Sequence, residues 1–407
     1  MSTNHPIGII ELGNFNIKCI IFEINNNKVE IISNTIAPSE GMHNDTIVNL
    51  EKATNAIRSC IARAENKAKI SLKKINLIFE QADFLCTKFS KHKNVDGSKI
   101  HKEDIEFLLN EAKKQLTHND KKQSIIHIFN HNYVVDGKNF VEEPIDIYAD
   151  KLSHEVTFIT MPKNNLKNID QVFVDCDIEI ERLFSRIFAL GVKLLNYNEL
   201  KCGSAIFDLG SDKTSLGLFK NLALVHSITI PIGINHITKD ISKVCSLDLE
   251  EAEKIRNDID FSFHKNSKIF DENNYLKNTY FIKSNFRKIS KKLILDVIKS
   301  RLDEILDSLK MHLIVPGFDL NSGISFLITG GGSNLLNIDK YFSNFFETNV
   351  KKCPTDEPQN HYIEKNFSSC LGAIKIIKEG WETEAIPETQ SNNLKKKGFL
   401  GKIFGIN

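Results

Sequence analysis

Two short stretches of this chain place an acidic residue before a glycine-led turn, where a phosphate and a metal ion could be held. The first runs Glu11-Leu-Gly-Asn-Phe-Asn-Ile-Lys18, and the second runs Asp208-Leu-Gly-Ser-Asp-Lys-Thr214. A glycine turn lets backbone N–H groups approach a phosphate, and a carboxylate at the strand end can bind the water shell of Mg²⁺. Each stretch lies between two apolar runs, so each predicts a β-hairpin whose turn faces a ligand.

A third glycine-rich turn, Thr329-Gly-Gly-Gly-Ser333, follows the apolar run Ile324 to Ile328. Leu335 to Phe346 then has helical spacing, which predicts a strand, a turn and a helix N-terminus, an arrangement that favours anion binding. A single glycine-rich turn is most often structural, because hairpins need glycine in any case. Two acidic hairpins followed by this turn are harder to explain in that way, and together they predict two related halves that close on one nucleotide.

Composition sets limits on the class of protein. The 407 residues are 41% hydrophobic and 26% charged, as in an ordinary soluble protein long enough for two or more domains. Its 53 basic and 52 acidic residues nearly cancel, so we expect no nucleic-acid partner. The eight cysteines are scattered without a C-x-x-C pair, which favours buried thiols in a reducing cytosol. No signal-peptide pattern opens the chain and no apolar run approaches the ~20 residues of a spanning helix, so we expect a protein of the cytoplasm or one attached to a membrane from that side.

Residues 85 to 163 differ in pattern from their surroundings and predict a small inserted α+β domain. The predicted elements are, in order, a polar loop (Lys91 to Ser98), a helix (about Lys102 to Leu116) and strands at Ser124 to Phe129, around Tyr133 and at Glu155 to Met161. No phosphate-binding or metal-binding pattern lies inside this stretch. A role in packing or interaction is therefore expected.

A polar strand region is expected between residue 258 and Ile294. Helical spacing also predicts the longer helices outside the insertion. These helices are expected at Leu50 to Lys67, Leu166 to Cys176, Phe184 to Tyr197, Ile294 to His312 and Phe367 to Lys378. In the last of them, Ser369, Gly372 and Ala373 offer a small surface on which another helix can cross closely.

These motifs resemble those of the actin-like ATPase superfamily, and within it the FtsA family of bacterial cell-division proteins, over nearly the whole chain. The first hairpin is similar to the phosphate-1 motif, the second to phosphate-2, and the TGGG turn to the adenosine motif. The run from Pro231 to Ile241 resembles the P-x-G-x-x-x-T-x-D-I stretch after phosphate-2, and Ala252-Glu-Lys-Ile-Arg256 resembles A-E-x-I-K. The resemblance implies an α/β, actin-like two-lobed fold with an inserted small α+β domain, called 1C.

The same resemblance divides the chain into subdomains. The implied divisions are IA (1–84 and 164–198, with 355–380 returning), 1C (85–163), IIA (199–246 and 316–354), IIB (247–315), a flexible linker (381–393) and an amphipathic membrane-targeting helix (394–407).

Together, the motifs and the resemblance predict a site for ATP and Mg²⁺. The predicted nucleotide ligands are Gly13, Asn14, Phe15, Asn16, Lys18, Gly210, Ser211, Asp212, Lys213, Gly233, Asn235, Glu253, Arg256, Gly330, Gly331, Gly332 and Ser333. Glu11 and Asp208 are predicted to bind Mg²⁺ through water. Glu253 and Arg256 are assigned to the ribose or adenine by family analogy alone, and an exposed helix face is the alternative for both.

The second hairpin departs from the usual phosphate-2 text, D-x-G-G-G-T-x-D. Ser211 and Asp212 stand where the family has glycines, and Ser215 replaces the second Asp. In the first hairpin Glu11 takes the common Asp position and Asn14 the usual Thr. Nucleotide binding is expected to survive these changes, with Lys213 or Mg²⁺ offsetting the charge of Asp212, whereas ATP hydrolysis is expected to be slow.

The last residues combine a polar linker with a short amphipathic segment. On a helical wheel the apolar side chains of this segment share one arc, glycines lie opposite, and lysines flank it. The predicted membrane contacts are Lys395, Lys396, Lys397, Phe399, Leu400, Lys402, Ile403, Phe404 and Ile406. Three glycines make a weak helix in water, so an anionic membrane is expected to induce it. Docking on the protein's own core is the alternative.

The resemblance implies a function at the division site, on the cytoplasmic face of the inner membrane. There the protein would bind ATP, self-associate into filaments, tether the C-terminal peptide of FtsZ through IIB, and contact later divisome proteins through 1C. Two alternatives remain open. One is a PilM-like platform protein of pilus assembly, and the other is a small-molecule kinase of the same fold, for which no catalytic Asp motif is found.

Overall fold

The computed structural model describes residues 5–43, 45–262, 269–282, 288–314, 324–353 and 361–379. The linker predicted at 381–393 and the membrane helix predicted at 394–407 lie outside the described residues. The strands are β1 (Ile7–Leu12), β2 (Asn16–Asn25), β3 (Lys28–Pro38), β4 (Met42–His43), β5 (Thr46–Ile47), β6 (Lys74–Phe79), β7 (Leu85–Lys99), β8 (Gln123–Val135), β9 (Lys138–Phe140), β10 (Tyr148–Pro162), β11 (Glu179–Ser185), β12 (Ser204–Leu209), β13 (Thr214–Lys220), β14 (Ala223–Ile230), β15 (Ser325–Thr329) and β16 (Val350–Lys352).

Helices fill most of the remaining described residues. They are α1 (Leu50–Ala68), α2 (Lys102–Asn119), α3 (Lys163–Val174), α4 (Arg186–Leu194), α5 (Tyr197–Cys202), α6 (Ile234–Cys245), α7 (Leu249–Asp258), α8 (Lys291–Lys310), α9 (Ile338–Phe346), α10 (His361–Asn366) and α11 (Ser368–Glu379). Within the described ranges, no helix is long and apolar enough to cross a membrane.

The chain forms two compact units. The first consists of the described residues within Met1–Gly203, Phe219–Ser227 and Thr355–Asn407, and the second of those within Ser204–Leu218 and Ile228–Pro354. The chain passes from the first unit to the second between residues 203 and 204, whereas the subdomain prediction placed this boundary between 198 and 199. It returns to the first unit between residues 354 and 355, as in the prediction. The tip of the β13–β14 hairpin belongs to the first unit, although the prediction assigned it to IIA.

A five-stranded sheet of order β11-β6-β1-β2-β3 forms the main core of the first unit. Strand β1 pairs antiparallel with β2 and parallel with β6, and apolar residues such as Ile9 and Ile10 are fully buried. Helix α1 is capped by Asn49, whose side chain accepts from Lys52 N, and it buries an apolar stripe that includes Ile57. The predicted hairpin and helix in this region are confirmed.

The inserted domain is a four-stranded antiparallel sheet of order β7-β10-β8-β9 with α2 packed on it. Two sequence predictions here are wrong. The predicted loop Lys91 to Ser98 is the outer part of β7, where polar side chains alternate because one face meets water. The separate strands predicted at Ser124 and Tyr133 are one strand, β8, whose pairing with β10 shifts register twice.

The second unit is built on the sheet β14-β13-β12-β15-β16, in which β12 and β15 run parallel. Three sequence predictions are corrected here, one of a strand region and two of helix boundaries. The described residues between α7 and α8 hold isolated bridges, such as Phe270 to Leu276, and a 3-10 turn at Asn278–Tyr280, where the sequence predicted a strand region. Helix α8 begins at Lys291 rather than Ile294, and α9 begins at Ile338 because Gly331–Asn334 forms a 3-10 turn.

In the first unit, the predicted helix Phe184 to Tyr197 is two helices. Helix α4 ends at Leu194, and Asn196 caps α5 by accepting from Glu199 N at 2.9 Å. The close crossing predicted for the last helix is confirmed, because a Cβ at Gly372 of α11 would overlap the backbone of Ala189 in α4.

Candidate functional site

The carboxylate of Glu11 lies at the end of β1 and is 1% exposed. Its Oε2 accepts from Lys18 Nζ at 3.1 Å and from Ser369 Oγ at 2.7 Å, and its Oε1 lies 3.1 Å from Arg186 Nη1. Burial alone would raise the pKa of Glu11, but the two cations and the Ser369 hydroxyl outweigh it and lower the pKa to about 2. Glu11 is therefore ionised, and both of its oxygens are engaged.

This arrangement does not fit the prediction that Glu11 holds the water shell of Mg²⁺. A carboxylate that serves a hydrated cation needs an oxygen turned to solvent, whereas both oxygens here face protein cations or a hydroxyl. Among the described residues, no group of three or more His, Cys, Asp or Glu side chains could hold a metal ion. Glu11 instead joins β1 to β2, α4 and α11 within the first unit.

The remaining predicted ligands of the first turn have different environments. Gly13 N donates to Asn16 O at 3.2 Å and closes the turn. The side chain of Asn14 accepts from Asp45 N at 2.6 Å, so it holds the neighbouring loop. Phe15 is 53% exposed, and its carbonyl accepts from Ser39 N. This turn is thus shaped by its own side chains and leaves an aromatic ring in solvent.

The second turn, at Gly210 to Lys213, is braced by the N-terminus of α6. Gly210 N donates to Lys213 O at 2.9 Å, and Asn235 N donates to Ser211 O at 2.8 Å. A Cβ at Gly233 would lie 2.6 Å from Gly210 O and Lys213 N, so only glycine allows the helix this close. The first amides of α6 therefore donate to carbonyls of this turn and are not available to a ligand. Because the amides of Ser211 and Asp212 have no acceptor in the described part of the chain, they are the groups of this turn that can meet a phosphate.

The third turn closes over the second. Gly330 has φ +85°, and a Cβ there would overlap Oδ1 of Asp208, which is 4% exposed beneath it. A Cβ at Gly332 would lie 2.8 Å from both Ile234 and Leu209. Gly331 is exposed, and a Cβ there would meet nothing within 4 Å. Gly330 and Gly332 are thus required by packing, while Gly331 faces open space where a ligand can lie.

Ser333 belongs to the same turn, where its Oγ donates to Gly330 O at 2.7 Å. The second unit therefore gathers the predicted residues of three separate stretches into one cradle, formed by Gly210–Lys213, Gly233–Asn235 and Gly330–Ser333. The predicted residues of the first hairpin lie in the other unit.

Arg256 joins α7 to α6 beside this cradle. It is 4% exposed and donates from Nη1 to Thr238 Oγ1 at 2.7 Å and to Asn235 Oδ1 at 3.2 Å. Its Nη2 donates to Glu253 Oε1 at 3.0 Å. Burial lowers the pKa of Arg256, and the nearby Glu253 opposes that shift. Glu253 lies on an exposed helix face, as the alternative interpretation expected. Arg256 is buried instead, and its hydrogen bond positions the side chain of Asn235.

Three residues of these clusters were not predicted to be site residues, namely Arg186, Ser369 and Thr238. The sequence indicated Ser369 only as a small residue at a helix crossing. It indicated Thr238 only as part of the motif that follows phosphate-2. Nothing in the sequence around Arg186 marked it, because its partner Glu11 lies far away along the chain.

Comparison with protein families gives two matches. A family described as "Cell division protein FtsA" matches residues 205–372, and one described as "SHS2 domain inserted in FTSA" matches residues 84–160. The second match coincides with the inserted α+β domain predicted at 85–163.

Proteins with similar sequences include the cell-division protein FtsA of several bacteria. The FtsA of Bacillus subtilis is 25% identical over 354 residues, covering 86% of this chain and 79% of the relative. That of Buchnera aphidicola subsp. Schizaphis graminum is 25% identical, covering 97% and 94%. That of Borreliella burgdorferi is 23% identical, covering 100% and 98%.

Solved structures share the fold at low identity. A PilM-PilN type IV pilus biogenesis complex matches with a TM-score of 0.64 at 13% identity, covering 91% of this chain and 98% of the other. MreB5 of Spiroplasma citri bound to ADP matches with a TM-score of 0.50 at 16% identity, covering 93% and 98%. With the inserted domain, these likenesses confirm the predicted actin-like α/β fold.

Proposed function

Because this chain belongs to the FtsA family of cell-division proteins and has the actin-like fold, we propose that it is a nucleotide-binding assembly protein of the division site. The observation that carries the nucleotide proposal is the cradle of the second unit. Its turn at Ser211 and Asp212 offers backbone amides, and Gly331 leaves the space in front of the third turn open. MreB5, which shares the fold, has been solved with ADP and with AMPPNP, and this favours an adenine nucleotide.

The test is a substitution that fills the cradle without disturbing the fold. Gly331→Val adds a side chain at a position with open space and no left-handed backbone, so the protein should fold normally. Binding of a fluorescent ATP analogue should fall at least ~10-fold, since a bulky group blocks the backbone approach. Lys340→Val, on the exposed side of α9, is the matched control. Equal affinity in a folded Gly331→Val protein would remove the site assignment.

We propose that hydrolysis is slow and that the nucleotide acts mainly as an assembly ligand. Ser215, which stands where the family has its second phosphate-2 Asp, is 1% exposed and shares a 2.8 Å hydrogen bond with Thr229. A hydroxyl committed to the sheet cannot orient an attacking water. Phosphate release by the purified protein should stay below ~1 per second. Steady turnover of several ATP per second would contradict this proposal.

Attachment to the cytoplasmic face of the cell membrane is proposed from the last 14 residues. Two Phe and three aliphatic side chains on one arc, flanked by lysines, suit the interface of an anionic bilayer, and filament formation would add avidity. Full-length protein should pellet with anionic vesicles, the 1–393 protein should not, and Phe404→Glu should behave like the truncation. Equal pelleting by the truncated protein would contradict the tether.

The division partner is proposed to be the C-terminal peptide of FtsZ, held by subdomain IIB, while self-association builds filaments and the inserted 1C domain meets later division proteins. Membership of the FtsA family supports this assignment. A pull-down with the FtsZ peptide should retain the protein, and a scrambled peptide should not. The PilM-like alternative is not favoured, since that likeness is one of fold at 13% identity.

A further inference from the structure

Helix α2 of the inserted domain has one buried and one exposed face. Its buried stripe, which includes Leu108 and Ala112, packs on the sheet of the same domain. The opposite face is exposed and forms a shallow groove. This outer face carries Phe107, which is 47% exposed. Because aromatic side chains are enriched where proteins meet, the outer face of α2 has one feature of a contact surface.

The charges on this outer face are divided between the two ends of the helix. Glu103 and Glu106 are exposed near its start, and spacings of three, four or seven residues place them on the side of the groove. Lys113, Lys114 and Lys121 line the groove toward the other end. The helix macrodipole favours acids in the first turn and bases in the last, but Glu106 follows the first turn and two of the lysines precede the last one.

The contacts that these charged groups make within the domain leave them exposed. Lys114 Nζ lies 2.9 Å from Glu111 Oε1, yet the two side chains are 75% and 39% exposed, and such a surface pair contributes little to stability. Lys93 Nζ lies over the ring of Phe107 at 5.2 Å, but it is paired with Asp104 at 2.5 Å. The divided charges of the outer face can therefore act on a partner outside the chain.

A face that is acidic at one end and basic at the other is complementary to itself when a second copy is turned end for end. We propose that the outer face of α2 is a contact surface for a second copy of this chain, packed antiparallel on the same face. Glu103 and Glu106 of each copy then face the three lysines of the other, and a twofold axis passes near Asn110. The contact gives a surface to the self-association proposed above, on which it rests.

The size of the helix sets the strength of this contact. Helix α2 has 18 residues and is about 27 Å long and about 10 Å wide, so an antiparallel pair covers less than the ~1,200 Å² of a stable interface. The contact is therefore weak between two isolated molecules. It becomes effective where copies are already held side by side, because each added contact is then intramolecular.

The test cross-links full-length protein through a cysteine placed at the proposed twofold axis. Asn110→Cys supplies the thiol, and Cys202→Ser removes the exposed native thiol from every protein tested. A short bismaleimide should join two copies through Asn110→Cys, and the yield should fall at high salt. Gln115→Cys, exposed on another side of α2, is the matched control and should cross-link at least ~5-fold less. Equal yields at the two positions would overturn the contact.

Charge reversal at the two ends gives the sharper variants. Lys113→Glu with Lys114→Glu makes most of the face acidic, and Glu103→Lys with Glu106→Lys makes most of it basic. Either pair of changes should lower the Asn110→Cys yield about tenfold, because like charges then face each other. A mixture of the two variants should restore the yield to within about twofold, as should one protein with all four changes. Circular dichroism melting establishes that each variant is folded, and a yield that neither combination restores would overturn the pairing.

Pelleting of filaments in the same samples with ATP separates this contact from the self-association on which it rests. Filaments without cross-links at Asn110→Cys would overturn the α2 contact and leave the proposed function in place. Cross-links without filaments would support the α2 contact and contradict the proposed filaments.

Discussion

The turn after Glu11 is fixed by side-chain charges, whereas the turn after Asp208 is fixed by backbone hydrogen bonds. Around Glu11, two cations and a hydroxyl surround one buried carboxylate. Around Gly210, the first amides of α6 donate to turn carbonyls and glycines allow the close approach. The first arrangement depends on pH and on single charged groups, and the second depends on the absence of a Cβ.

The largest effect is expected from a side chain at Gly330, in the backbone-fixed region. Gly330→Val forces a β-branched residue into a left-handed conformation and onto Asp208, and should lower the free energy of unfolding by ~4 kcal/mol. The urea midpoint followed by circular dichroism measures this. Gly331→Val, one residue on, should change stability by less than ~0.5 kcal/mol. Similar costs at the two positions would show that the turn is not fixed by close packing.

Removal of the carboxylate tests the charge-fixed region. Glu11→Ala leaves Lys18 and Arg186 without their counter-charge, and should cost ~3 kcal/mol of unfolding free energy. Ser369→Ala removes one hydrogen bond and should cost ~1 kcal/mol. If chemical denaturation gave the two variants equal stability, the ion pairs would contribute nothing beyond the hydroxyl.

The two regions should also differ in their response to acid. The pKa of Glu11 is about 2 in the folded protein and 4.5 in the reference state, so its contribution is complete above pH ~4.5 and is lost as pH falls toward 2. The stability gap between the unchanged protein and Glu11→Gln should therefore narrow by ~1 kcal/mol from pH 7 to pH 4.

Buried His127 complicates a simple acid titration, because burial lowers its pKa from 6.5 to about 3. That depressed pKa costs stability from pH ~6.5 downward. The loss is common to both proteins and cancels in the difference between them. A gap that stays constant down to pH 4 would show that Glu11 is not held ionised by its partners.

The smallest effect is expected at Asp212, in the open part of the second turn. Asp212→Asn removes a negative charge beside the proposed phosphate position, so ATP affinity should rise about threefold at low salt and less at high salt. Stability should change by less than ~0.5 kcal/mol. Asp296→Asn, on the exposed face of α8, is the control for net charge. Isothermal titration calorimetry measures the ATP affinity. Equal affinities of Asp212→Asn and Asp296→Asn would contradict the expectation.

The sequence alone determined the features that depend on local spacing. Glycines beside acidic residues identified the turns, the 3.6-residue period identified α1 and α2, and a change of pattern located the inserted domain within a few residues. The small residues of α11 predicted its close crossing with α4. These signals are readable because the residues that produce them are neighbours along the chain.

Only the tertiary structure decided which groups the charged side chains meet. Glu11 and Ser369 are 358 positions apart, and Arg256 reaches Thr238 on a different helix. The polar residues of β7 form a strand because β10 supplies their hydrogen-bond partners, although their composition suits a loop. In each case the deciding free energy comes from pairing across long sequence separations, on which local composition carries no information.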